Sequence, residues 1–166
     1  MGDIFEVPID ESRRGFGQVI AAYQQDAYYL AIFDRAYARD RMLPDLGHVA
    51  ADRIALLALS FDAKVKAGHW RVVGAQSVPD EVPLPAYTVA VGEPDDVWVE
   101  DYSGQRRRRA SPGEAEFYLH RSFVAPVRLE KALRALHELE PWQDHFDDLR
   151  PDEGRTTRRA FGEGTG

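Results

Sequence analysis

The first 34 residues constrain the fold most, because they contain three short apolar segments separated by turn-forming residues. The segments read Gly2-Asp3-Ile4-Phe5-Glu6-Val7-Pro8-Ile9, then Gly15-Phe16-Gly17-Gln18-Val19-Ile20, then Tyr28-Tyr29-Leu30-Ala31-Ile32-Phe33-Asp34. Each is enriched in β-branched and aromatic residues, which is typical of strands. Their close spacing predicts an antiparallel meander that starts at the N-terminus.

The middle of the chain continues with short elements. Asp45 is a suitable N-cap, and we expect a short helix over 45–53. Residues 54–61 have spacing that fits either a helix face or a buried strand. A further strand is expected to begin at Gly68 and to end or bulge at Gly74.

Three extended pieces are predicted after a proline-rich loop, over 87–91, 97–102 and 105–109. Ser103-Gly104 separates the last two and predicts a hairpin between them. The most regular helix pattern covers 127–139, with Pro126 at its start and Pro141 beyond its end. A second short helical stretch is expected over 142–149.

Strands that come first and a long helix that comes late predict an α+β fold. We expect a strongly bent antiparallel sheet, or a partly open barrel, with the C-terminal helix packed on one face. With 166 residues the chain is expected to form a single domain over 1–149. Residues 150–166 are polar, with only Phe161 to bury, and are predicted to be a disordered tail.

Charge and composition exclude several classes of protein. A formal net charge of −7 argues against wrapping of nucleic acid and favours a basic partner. The chain has no cysteine, so it has neither disulfides nor a thiolate nucleophile. It also lacks an apolar run long enough to span a membrane and a signal-peptide pattern, so a cytoplasmic location with no membrane contact is expected.

One acidic segment, in a loop and strand that are expected to be exposed, is the candidate partner-binding site. It carries five carboxylates and one tryptophan without an intervening Lys or Arg: Glu93, Asp95, Asp96, Trp98, Glu100 and Asp101. Carboxylates around an aromatic anchor suit a basic partner. The alternative is a solvated loop whose tryptophan points into the core. A second acidic group, Asp144, Asp147, Asp148, Asp152 and Glu153, has the same two interpretations.

The other chemistry-bearing residues do not form an enzyme signature. The four arginines at 106–109 are expected to alternate on a strand, two pairing with carboxylates and two facing solvent. The five histidines form no His-Glu-x-x-His or His-x-His pattern, and no serine lies in Gly-x-Ser-x-Gly. Gly15-Phe16-Gly17 lacks the remainder of a phosphate loop. We therefore predict no catalytic residue, no metal and no cofactor.

Four landmarks occur in order along the chain. They are the Gly-Asp-x-Phe-x-x-Pro-Ile strand, the Gly-x-Gly-Gln-Val strand with the aliphatic strand after it, the segment Lys66-Ala67-Gly68-His69-Trp70-Arg71-Val72-Val73-Gly74, and the segment Arg108-Arg109-Ala110-Ser111-Pro112-Gly113-Glu114. Together they resemble the immunity protein 26 family of bacterial polymorphic toxin systems. The resemblance spans about residues 2–135. It favours a strand over a helix for 54–61.

The resemblance implies a small domain that binds and neutralises a cognate protein toxin by non-covalent occlusion, without chemistry of its own. Many such toxins are nucleases with basic grooves, so a nuclease with a basic surface is the expected partner. The same family label has been attached to a phosphotriesterase, so a metal-dependent hydrolase is the alternative. A general protein-interaction domain is a third possibility.

Overall fold

The computed structural model describes residues 1–24, 27–93 and 95–162. Within them the chain forms two compact units, the first comprising residues 1–80 and 123–150 and the second residues 81–122 and the chain from Pro151 onward. The mixture of helices with antiparallel sheets confirms the predicted α+β class. None of the helices in these segments is long and apolar enough to cross a bilayer.

The first unit is built on a strongly bent six-stranded antiparallel sheet that, in the described part of the chain, does not close into a barrel. Its strands are β1 (Asp3–Pro8), β2 (Arg13–Tyr23), β3 (Ala27–Phe33), β4 (Tyr37–Ala38), β5 (Ile54–Phe61) and β6 (Val72–Ala75). The order across the sheet is β5-β3-β2-β1-β6, with β4 paired to β2. The predicted N-terminal meander is thereby confirmed, and residues 54–61 are a strand.

Two short helices interrupt the strands of this unit. Helix α1 (Leu46–Ala50) is capped by Asp45, whose side chain accepts a hydrogen bond of 3.0 Å from the backbone N–H of His48. Helix α2 (Ala63–Lys66) precedes Gly68, which has φ +74° and leads the chain out of that helix. The strand expected from Gly68 onward therefore begins only at Val72.

An aromatic stack lies in the core of the first unit. Phe5 and Trp70 are both fully buried and lie face to face, with ring centroids 5.2 Å apart and planes 2° from parallel. Gly17 faces the Phe5 ring from the neighbouring strand, where an added Cβ would lie 2.5 Å from Cζ of Phe5. The glycine is needed because the ring occupies the space of its side chain.

The C-terminal helix α4 (Pro126–Leu136) packs on the same core through Leu129, Ala132 and Leu133. This confirms the helix on one sheet face. The helix ends three residues earlier than the predicted 127–139, because Glu138 takes a left-handed conformation with φ +62°. The backbone N–H of Leu139 donates to Arg134 and that of Glu138 to Ala135, which is the hydrogen-bond pattern of a Schellman motif.

The segment after this helix is a 3-10 helix over Asp144–Leu149 rather than an α-helix. Its buried residues Phe146 and Leu149 join the core of the first unit. The carboxylate of Asp147 accepts a hydrogen bond of 2.9 Å from Nε1 of Trp142. Of the second acidic group, Asp144, Asp147 and Asp148 belong to this unit, and Asp152 and Glu153 belong to the other.

The second unit contains a three-stranded antiparallel sheet in the order β7 (Tyr87–Ala90), β8 (Val97–Glu100) and β9 (Arg107–Arg109). The predicted hairpin between 97–102 and 105–109 is confirmed, with shorter strands. Helix α3 (Pro112–Phe117) follows β9, and it was not predicted. It begins with a capping box between Ser111 and Glu114.

Part of the segment expected to be a disordered tail has regular structure. A 3-10 helix covers Glu153–Arg155 and helix α5 covers Thr157–Phe161. Thr156 caps α5, Thr157 is buried, and the Phe161 ring lies under the Arg106 guanidinium at 5.0 Å. These contacts include one with the distant residue Arg106, so they are not apparent from the sequence of the tail. Residues 163–166 lie outside the described residues, and the division into one domain and a tail stays a prediction.

A candidate partner-binding loop

The candidate loop connects β7 to β8 in the second unit. Its ends are held by two backbone hydrogen bonds of 3.0 Å, from Val91 N–H to the Asp96 carbonyl and from Asp96 N–H to the Glu93 carbonyl. The two strands pair in register from Tyr87 opposite Glu100 to Ala90 opposite Val97. The acidic residues of the loop are therefore presented at one end of a hairpin, and Pro94 lies outside the described residues.

Glu93 and Asp95 are the two exposed carboxylates of this loop. No ion pair involves either of them in the described residues. Asp96 is 29% exposed and its Oδ1 lies 3.0 Å from a guanidinium nitrogen of Arg109. Among the described residues, the negative charge of Asp96 at the base of the loop is thus paired, whereas the charges of Glu93 and Asp95 at its tip are not.

Trp98 is half-buried on β8, between Val89 of β7 and Arg109 of β9. Its Nε1 is buried and has no hydrogen-bond partner within the described ranges. A buried indole N–H normally finds an acceptor. Trp98 therefore fits neither interpretation of the sequence in full. Its ring is neither a fully exposed anchor nor a fully buried core residue.

Glu100 and Asp101 are buried, with only 2% and 3% of their surface exposed. The expectation that the whole acidic set is exposed is wrong for these two residues. Glu100 Oε1 lies 2.6 Å from Arg107 and its Oε2 lies 2.7 Å from Nε of Arg121. A carboxylate withdrawn from water requires such partners, and the sequence around Glu100 does not reveal Arg121.

Asp101 organises the turn that follows β8. Its Oδ1 accepts the backbone N–H groups of Gln105 and Arg106 at 2.9 and 3.2 Å, and its Oδ2 accepts the hydroxyl of Ser103 at 3.0 Å. This is the usual role of an aspartate that satisfies turn donors. Glu100 and Asp101 support the hairpin, whereas Glu93 and Asp95 are its accessible charges.

All four consecutive arginines at 106–109 have carboxylate partners, although the sequence predicted that two would face solvent. The pairs join Arg106 to Asp101, Arg107 to Glu100, Arg108 to Glu114 and Arg109 to Asp96. The predicted salt-bridging role is confirmed. Side chains on a strand alternate between its two faces, but this does not prevent all four arginines from forming ion pairs. Their long side chains reach carboxylates on either side of β9.

Arg108 and Glu114 are the strongest pair by geometry, with two parallel contacts of 2.9 and 2.5 Å. The hydrogen bond from Arg108 and those from Ser111 lower the pKa of Glu114 from 4.5 to about 2. The pair joins β9 to the first turn of α3.

No group of three or more His, Asp or Glu side chains is arranged to hold a metal ion among the residues that the structure describes. His48 lies 3.5 Å from Asp45 at the start of α1, and both side chains are largely exposed. His137 is partly buried, and burial lowers the pKa of its imidazole.

The chain matches the family described as immunity protein 26 over residues 1–91. Those residues are more than half of the 166 in the chain, and the chain belongs to this family. The match includes three of the four landmarks, while the segment around Arg108 to Glu114 lies beyond it. Family membership supports a role as an immunity protein. No curated protein and no solved structure matches the chain.

Proposed function

We propose that this chain binds a cognate bacterial toxin domain and neutralises it by non-covalent occlusion. The observation that carries the proposal, beside family membership, is the acidic β7–β8 loop. It presents Glu93 and Asp95 to solvent, with Asp96 and Trp98 next to them. Carboxylates on an accessible loop attract a basic surface and raise the rate of encounter with it.

The proposed partner is a nuclease, because a nuclease groove is basic and binds phosphates. Exposed carboxylates can occupy the positions that substrate phosphates would take in such a groove. A standard interface buries about 1,200 to 2,000 Å² in total, so the loop supplies one part of a larger contact surface. The proposed site of action is the cytoplasm, where a nuclease toxin meets its substrate.

The buried carboxylates of this segment have a supporting function in the proposal. Glu100 and Asp101 are paired within the second unit, so they hold the hairpin that carries Glu93 and Asp95. Binding energy is expected from the exposed members and from Trp98. Charge reversal at Glu100 would mainly test the stability of the hairpin.

Affinity capture with the tagged chain, from the bacterium that produces it, tests the proposal first. We expect a secreted toxin with a C-terminal nuclease domain to co-purify. Co-expression of that toxin domain with the chain should then restore bacterial growth. If the captured toxin domain kills cells equally well with and without the chain, the proposed function is wrong.

An enzyme assay addresses the alternative. Purified chain is expected to leave an aryl phosphotriester intact, with and without added divalent metal. Metal-stimulated hydrolysis that co-elutes with the chain would contradict a purely binding function.

A further inference from the structure

The first unit contains a second polar site, a cavity of about 410 Å³ beside the N-terminal strands. It is formed by residues of β1 and β2 together with the segment after β4 and the segment between α2 and β6. Its lining residues are Glu6, Pro8, Arg14, Arg39, Gly68, His69 and Arg71. The volume lies in the usual range of small-molecule sites, which is about 300 to 1,000 Å³.

The lining is strongly basic, although the chain as a whole is acidic. Three arginines and one carboxylate, that of Glu6, line the cavity. Oε1 of Glu6 accepts from Arg14 at 2.6 Å and its Oε2 accepts from Arg71 at 2.8 Å. Burial would raise the pKa of Glu6, but the hydrogen bonds from Arg71 and Arg14 outweigh it and lower that pKa. Glu6 is thus ionised, and an excess of two positive charges remains.

Arg39 supplies the least compensated of these charges. Its side chain is exposed and donates to the backbone carbonyl of Asp10 at 3.3 Å. It forms no ion pair with a carboxylate in residues 1–24, 27–93 or 95–162. A guanidinium without a carboxylate partner at the edge of a cavity is available for an anionic ligand.

Arg14 is held rigidly, with only 6% of its surface exposed. Besides Glu6, it donates to the backbone carbonyls of Arg41 at 3.0 Å and Met42 at 3.4 Å. Its Nε is buried and lacks a hydrogen-bond acceptor among the described residues. Arg14 therefore places a fixed positive charge in the wall of the cavity.

We propose that this cavity binds a phosphate group. The two excess positive charges match a phosphate dianion better than a carboxylate, and guanidinium groups bind phosphate oxygens through paired N–H donors. The acidic loop belongs to the other unit, so the two sites share no residue. A phosphate ligand also differs in charge from the proposed basic protein partner.

NMR titration of the full chain with sodium phosphate, at an ionic strength held constant with sodium chloride, tests this inference. We expect saturable shifts of the backbone amides of Gly68, His69 and Arg71. Adenosine 5′-monophosphate as a second titrant distinguishes a phosphate ester from free phosphate. Sodium acetate should bind more weakly than either.

The decisive variant is R39Q, because Arg39 is exposed and its loss leaves the Glu6 ion pairs intact. We expect R39Q to weaken phosphate binding about tenfold, which corresponds to the loss of one charged hydrogen-bonding group. R41Q is the matched control, because the Arg41 side chain is also exposed, lies two positions away and does not line the cavity. The substitution leaves in place the backbone carbonyl of residue 41 that accepts from Arg14. It should bind phosphate as the unmodified chain does.

Three results would overturn the proposal. They are the absence of saturable phosphate shifts in the unmodified chain, equal weakening by R39Q and R41Q, and acetate binding as tight as phosphate binding. Thermal unfolding of each variant is measured alongside to show that the variants are equally stable. R39K keeps the positive charge, so it is expected to retain more phosphate binding than R39Q.

Discussion

Arg121 and Glu100 form an ion pair that is almost fully withdrawn from solvent, with Nε of Arg121 2.7 Å from Oε2 of Glu100 and exposed side-chain fractions of 5% and 3%. Arg121 also donates to the carbonyls of Asp101 and Tyr102 and lies over the Tyr87 ring at 4.6 Å. One guanidinium therefore connects the end of β8 to β7 and neutralises a buried carboxylate.

Replacement of this arginine is expected to destabilise the second unit strongly. In R121M the carboxylate of Glu100 stays buried and keeps Arg107 as its partner among the described residues, and removal of one member of a buried pair costs about 3 to 5 kcal/mol. Urea unfolding followed by circular dichroism measures the free energy of unfolding.

R109M is the matched control for that experiment. Arg109 pairs with Asp96 in the same sheet, but its side chain is 75% exposed, so its loss should cost less than about 1 kcal/mol. Equal losses in R121M and R109M would show that burial of the Glu100 pair does not matter for stability.

Glu114 predicts a specific dependence of stability on pH. Its pKa is lowered by Arg108 and Ser111 from 4.5 to about 2, so its charged form stabilises the folded state. That contribution is fully present above about pH 4.5 and is lost as the pH falls toward 2. E114Q keeps an oxygen for the capping box but removes the charge.

The stability difference between the unmodified chain and E114Q should therefore be present at pH 7 and should shrink between pH 4.5 and pH 2. Thermal unfolding over that range measures it. E116Q serves as the control, because Glu116 is exposed on the same helix. A difference for E114Q that stays constant down to pH 2 would argue against the role given to the Arg108 pair.

Gly17 is expected to tolerate no side chain. In G17A the new Cβ would lie 2.5 Å from both the Phe5 ring and the Ala31 carbonyl oxygen. Overpacking of this kind costs about 1 to 3 kcal/mol, because the Phe5 ring is fully buried and stacked on Trp70, so it can move only by disturbing that contact.

G113A provides the comparison, since a Cβ on Gly113 meets nothing within 4 Å and the residue lies in helix α3. Alanine there should be neutral or stabilising by up to about 1 kcal/mol. Chemical unfolding measures the free energy of unfolding of both variants. If G17A is as stable as G113A, the packing around Phe5 is looser than in the structure.

The sequence predicted the elements whose signals are local. Strands β1 to β3, the cap at Asp45 and the hairpin through Gly104 all follow from neighbouring residues and are confirmed. Helix α3 also carries a local signal, because Ser111 and Glu114 have capping-box spacing with Pro112 at the first helical position. That signal was present in the sequence and was overlooked.

The acidic partner-binding site was predicted less well, because the exposure of its carboxylates depends on partners that are distant in the sequence. Glu100 and Asp95 are chemically alike and close in sequence, yet one is buried by Arg121 and the other is exposed. The basic cavity was missed for the same reason. Arg14, Arg39 and Arg71 are far apart in the chain, and their segments are brought together by the pairing of β2 with β1 and β4 and of β1 with β6.

The exposed carboxylates of the β7–β8 loop should control association with the proposed toxin. In the double variant E93K/D95K we expect the association rate to fall about tenfold or more at low salt, with a weaker dependence on salt, because steering by the loop is lost. Stopped-flow or surface plasmon resonance at several salt concentrations measures this. The double variant E81K/E116K changes the net charge equally at exposed positions of the same unit. If both double variants slow association to the same extent, steering comes from the net charge of the chain and the loop has no particular part in it.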